Sequence, residues 1–188
     1  TPPLGRHLPM QQRFSKGLLL IYISLKNQGS FFKYYIVDMP SEIILIAAVT
    51  VDGFIARRSD EITSWTKDLP LFKKQTMGYP VIMGSNTYKT LSSELVGRNV
   101  IVVGRNDKPR SIIEEIKSDR CFIAGGGKTY SRFYHFLTHL YITPHPLIFG
   151  SGVSLFSDTV NEKNLSFEKL LEVSKEEGIY QYQYKVKH

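Results

Sequence analysis

Seven consecutive residues, Ile43-Ile-Leu-Ile-Ala-Ala-Val49, carry no charged and no polar side chain. A strand with one wet face alternates apolar and polar residues, and this run does not. It reads as a central strand over 42–50, covered on both faces. Sheets covered on both faces are usually parallel and need helical crossovers between their strands. Two more apolar runs follow, Val81-Ile82-Met83 and Cys121-Phe-Ile-Ala124, each with a glycine turn directly behind it. The expected class is therefore α/β.

Taken in order, the chain supplies the crossovers. Asp68 opens a short amphipathic helix with Leu69 and Phe72 on one face. After the strand at 81–83, Gly84-Ser85-Asn86-Thr87 turns into a second helix, with Asn86 as its expected cap. Backbone N–H groups in such a turn can meet an anion. Residues 99–104 read as a strand, 108–119 as a helix with Ile112, Ile113 and Ile116 on one side, and 140–143 as a strand. Behind 121–124 stand Gly125, Gly126 and Gly127, whose missing Cβ atoms let a backbone approach a pyrophosphate. Gly127-Lys128-Thr129 is not a P-loop, because Phe122 occupies the position of the leading glycine. His135 and His139 fall four apart on the helix expected there, without a third ligand, so no metal site is expected. Gly150-Ser-Gly152 reads as a turn. Residues 165–173 and 179–186 read as an antiparallel hairpin turning at Gly178, with Tyr180, Tyr182, Tyr184 and Val186 on the buried face.

The length of 188 residues suits one domain with a sizeable core. Cys121 is the only cysteine, which rules out an internal disulfide and fits a cytoplasmic setting. Residues 1–38 hold Arg6, Arg13, Lys16, Lys26 and Lys33 against Asp38, so four of the seven net positive charges lie there. They show no clear period, and the apolar stretch at 18–23 is too short to span a bilayer. Met39 is the expected natural start, with 1–38 an extension outside the core; a basic targeting leader and a genuine extra element are the alternatives. The domain is then 39–188. No basic stripe with interleaved aromatics points to nucleic acid, and no membrane partner is expected.

The stretch 68–98 is more specific than its elements. Asp68, Phe72, Thr76, the run from Pro80 to Gly84, Thr87, Gly97 and Arg98 occur in this order. It resembles the dihydrofolate reductase family. The resemblance implies a three-layer fold, with a mostly parallel twisted sheet between helices and a C-terminal antiparallel hairpin. It implies NADPH as cofactor, a small-molecule substrate, and a monomer or homodimer. In that family the acid, here Asp68, orients the pterin. A nearby Trp, here Trp65, holds a water, Thr143 bonds the carboxylate, and Tyr130 lies beside the nicotinamide. Ile46, Ala48, Leu69, Phe72, Leu91 and Leu95 would wall the substrate, and Arg98 would grip the glutamate carboxylate. Ala47, Ile55, Gly84, Ser85, Asn86, Thr87, Gly104, Arg105, Gly125, Gly126, Gly127, Lys128, Thr129 and Tyr130 would hold the cofactor. Arg105 would select the 2′-phosphate, although read alone it is equally an exposed turn charge. Residues 144–156 look more like the reductase domain of riboflavin biosynthesis. A riboflavin-pathway pyrimidine reductase is therefore the alternative, and a non-catalytic nucleotide-binding relative is a second.

Overall fold

The computed structural model describes residues 39–187, together with three short strands nearer the N-terminus. Those strands are β1 (Gln12–Arg13), β2 (Leu18–Tyr22) and β3 (Tyr34–Asp38); they pair antiparallel into a sheet of their own. The expected start at Met39 and the possible leader concern residues outside those otherwise described.

The main sheet has seven strands in the order β11-β12-β9-β4-β8-β6-β7. At its centre is β4 (Glu42–Thr50), flanked in parallel by β8 (Arg120–Ile123) and β9 (His139–His145). Beyond β8 lie β6 (Pro80–Gly84) and then β7 (Asn99–Val103), again parallel. Beyond β9, the hairpin of β12 (Ile179–Val186) and β11 (Leu165–Ser174) adds antiparallel. A separate two-stranded ribbon joins β5 (Phe54–Ala56) to β10 (Val153–Ser154).

The uninterrupted apolar run of β4 has its reason in two cores. Ile43, Leu45, Ala47 and Val49 enter one cluster, with Ile113, Phe133 and Leu137. Ile44 and Ile46 enter the other, with Val81, Met83, Leu95 and Phe122. Each of the Ile, Leu and Val side chains contributes about 1.5–3 kcal/mol by leaving water, so β4 anchors both layers at once. Helix α1 (Leu69–Thr76) and α2 (Ser85–Leu91) serve the second cluster; α3 (Pro109–Glu115) and α4 (Gly127–Phe133) serve the first.

Several expectations are corrected. The buried face of β12 carries Ile179, Gln181 and Gln183, while the tyrosines are only half-buried. The amides can be buried because they are paired. Gln75 of α1 and Gln181 exchange two hydrogen bonds, at 2.7 and 3.1 Å, and Gln183 donates to Gln181 at 2.9 Å. His135 and His139 do not share a helix. Leu137 is extended, and His139 already belongs to β9, beside Glu168. Ser85 opens α2, so Asn86 sits in its first turn rather than capping it. Among the described residues no helix is long and apolar enough to cross a membrane, and no group of three metal-ligating side chains is gathered.

Candidate active site

Parallel strands all end at one edge of a sheet, and ligands of open α/β sheets bind outside that edge. Here a groove of about 860 Å³ runs along it. The second half of β4 supplies Ile46, Ala47 and Ala48 to its floor. The ends of β6, β7 and β8 supply Gly84, Gly104 and Gly125. Helix α1 brings Asp68, Leu69 and Phe72, and α2 brings Ser85, Asn86, Thr87 and Leu91.

Asp68 is the acid in this wall. It occupies the N-cap position of α1, yet its side chain makes no capping hydrogen bond. The residue is 6% exposed. Burial raises its pKa above the ordinary carboxylate value. Tyr130 reaches the same floor, donating from its hydroxyl to the Ile46 carbonyl at 2.7 Å. Burial, and then the Asp68 charge, push the Tyr130 phenol pKa up, so it stays a neutral donor.

The glycine loop after β8 packs closely on α2. A Cβ on Gly125 would stand 3.3 Å from the Thr87 methyl, and one on Gly126 would stand 3.3 Å from Thr87 Oγ1. Gly125 also has φ +119°, a conformation that L side chains rarely adopt. Gly84 is likewise confined, with Thr129 Oγ1 2.9 Å from the position of its Cβ. These three leave bare backbone at the groove. Gly127 differs, for a Cβ there would overlap Ser157 Oγ and the Ser154 carbonyl oxygen. Its lack of a side chain seats the 154–157 segment. Lys128 and Arg105 line the groove and form no ion pair among the described residues. Arg132 also lines it, and donates to the Gly104 carbonyl at 2.8 Å and to the Asp107 carbonyl. Asp107 accepts from Gly104 N–H at 2.7 Å, so the turn that carries Arg105 is braced from two sides.

Four predicted residues stand back from the groove. Leu95 is buried in the core. Arg98 is engaged behind α1. Its Nε donates to Thr76 Oγ1 at 2.8 Å, one terminal nitrogen to the Glu94 and Val96 carbonyls at 2.8 and 3.0 Å, and the other to the Lys73 carbonyl at 3.0 Å. A guanidinium has five N–H donors, so a two-pronged grip on a carboxylate requires one of these bonds to open. Trp65 turns away, edge-on to His145 and to Phe149 at 5.2 Å each. Its buried Nε1 has no hydrogen-bond partner among the described residues, and neither has Thr143 Oγ1.

The sequence profile described as dihydrofolate reductase matches residues 42–177. The chain belongs to the dihydrofolate reductase family. Among its relatives, dihydrofolate reductase type 8 of Escherichia coli is 31% identical over 125 residues, covering 54% of this chain and 73% of that protein. The dihydrofolate reductase of Bacillus subtilis is 26% identical over 113 residues, covering 54% and 67%. Two solved structures share the fold at 18% identity. The Enterococcus faecalis dihydrofolate reductase, complexed with NADP(H), covers 80% of this chain and 99% of its own, with TM-score 0.61. The bifunctional deaminase/5-amino-6-(5-phosphoribosylamino)uracil reductase of Thermotoga maritima covers 79% and 57%, with TM-score 0.63. The protein is thus an oxidoreductase of the dihydrofolate reductase family.

Other members of the lining were not read from the sequence. Arg58, Glu61, Thr63 and Thr66 come from the loop after β5, and Ser154 and Ser157 from the segment around β10. The loop was legible only as polar. The turn ahead of β5 is held from a distance: Asp52 accepts from Phe149 N–H at 3.1 Å and Gly150 N–H at 2.7 Å, joining 50–54 to 149–150.

Proposed function

We propose that this chain reduces 7,8-dihydrofolate to 5,6,7,8-tetrahydrofolate with NADPH, by hydride transfer to C6 and protonation at N5. The carrying observation is Asp68, a buried acid left unspent by its helix and set beside Leu69 and Phe72 in the groove. A pterin presents a ring N–H beside an amino group, and one carboxylate can accept both. Holding that edge fixes the ring against β4, where Ile46 and Ala48 meet one side while Leu69 and Phe72 cover another. Burial raises the Asp68 pKa, which favours a proton at this end of the groove.

The other arm of the groove fits a dinucleotide. Bare backbone at Gly125 and Gly126, with the Thr87 hydroxyl, suits a pyrophosphate, and unpaired Arg105 and Lys128 suit the 2′-phosphate. Bound NADPH supplies the hydride; the chain supplies orientation and electrostatics.

A second reading has its own support. Arg98 is committed to Thr76, Lys73, Glu94 and Val96, which favours a substrate without a glutamate tail, such as a ribosylated pyrimidine. The test is NADPH oxidation followed by absorbance, with dihydrofolate and then the riboflavin-pathway pyrimidine. Dihydrofolate-dependent oxidation, reduced about 100-fold or more in Asp68→Asn, is expected. Turnover with the pyrimidine alone would refute the folate reading.

A further inference from the structure

We infer that His145 is a positioning residue for the catalytic carboxylate, holding the backbone one residue ahead of Asp68. The inference rests on the reading of Asp68 given above. His145 ends β9 and is 2% exposed. Its ring ties two backbone segments together: Nε2 accepts from Lys67 N–H at 2.9 Å, and Nδ1 lies 3.0 Å from the Thr143 carbonyl. A carbonyl can only accept and a backbone N–H can only donate. The two bonds therefore fix the neutral tautomer with its proton on Nδ1. Lys67 immediately precedes Asp68, and the buried Thr143 hydroxyl is a neighbour of the Asp68 carboxyl. One imidazole thus sets the spacing between the acid and its polar neighbour.

The Asp68 side chain makes no capping bond that could aim it, so its direction follows the backbone that His145 grips. Trp65 completes the clamp, edge-on between His145 and Phe149. The nearby charges are Asp68 itself and the Lys67 ammonium, which is paired with Glu177 at 3.2 Å.

The test compares His145→Leu with His145→Gln in the full chain. Glutamine can accept from Lys67 N–H and donate to the Thr143 carbonyl; leucine can do neither. Trp65 is the only tryptophan, so its fluorescence reports on this segment alone. The leucine variant is expected to lose about 10-fold in kcat/KM for dihydrofolate, with NADPH affinity unchanged. Its Trp65 emission should move to longer wavelength and become quenchable by iodide. The glutamine variant should recover both signals. Unchanged kinetics and emission in the leucine variant, or glutamine as damaging as leucine, would overturn the inference. Absence of dihydrofolate turnover in the wild-type chain would sink the folate reading, while the fluorescence comparison would still decide the role of His145.

Discussion

Gly127→Ala separates two purposes that a glycine in this loop can serve. If the residue only clears space for a cofactor, alanine should stabilise the free protein. Gly127 is the first residue of α4, and alanine is favoured over glycine in helices by up to about 1 kcal/mol. The structure predicts the opposite sign. The new methyl would overlap the Ser154 carbonyl, which is backbone, as well as Ser157 Oγ. Relief moves the 154–157 segment outward. That motion strains the bond from Ser157 N–H to the Gly127 carbonyl, 3.3 Å, and the bond from Asp158 N–H to Ser131 Oγ, 3.0 Å. At ~1 kcal/mol each, their loss costs about 2 kcal/mol, offset by at most ~1 kcal/mol of helix propensity. The net expectation is a destabilisation of ~1–2 kcal/mol, or roughly 2–8 °C in Tm for a chain of this size. Urea and thermal unfolding of the unliganded protein measure it. A variant as stable as wild type, or more so, would refute the packing role. Trimming Ser157 to glycine should rescue little, since the Ser154 carbonyl remains in the way.

Three further outcomes follow from the site. Asp68→Asn should stabilise the free protein near neutral pH. A raised native pKa means that the native state holds the proton more tightly than the unfolded chain. Its contribution is complete below the ordinary carboxylate pKa and is lost as pH rises through the raised value, so the gain from asparagine should vanish in acid; urea titrations at both pH values test the sign. Arg105→Gln should raise KM for NADPH about 10-fold and leave KM for NADH unchanged, and equal effects on the two would remove Arg105 from the 2′-phosphate site. Cys121, fully buried in the core, has its thiol pKa pushed up to about 12 by burial, so thiol reagents should label it at the rate of unfolding and no faster.

What the sequence revealed, and what it hid, follows the range of each interaction. The central position of β4 was legible because seven apolar residues without alternation have one economical reading. Asp68 stood out because it opens a series of residues, with Phe72 and Arg98, in the order that the dihydrofolate reductase family uses. The braces were not legible. Arg98 is held by carbonyls at 73, 94 and 96, and a carbonyl leaves no mark in a sequence. Gln181 and Gln183 look like the wet face of a strand until Gln75, on a distant helix, satisfies them. Gly127 reads as part of a cofactor loop because the segment it accommodates lies some 30 residues away along a stretch with no period of its own.

The position of β4 also bears on how the protein is made. It is the first strand of its sheet to leave the ribosome, but its neighbours begin only at Arg120 and His139. Until synthesis has passed Ile123, both edges of the most apolar segment in the chain stand open to whatever strand they meet, and the β9 edge stays open until His145. A nascent chain arrested before β9 can complete neither the sheet nor the groove, and it presents a template for self-association. The groove therefore arises late, and the exposure of β4 during elongation is something that the finished molecule no longer betrays.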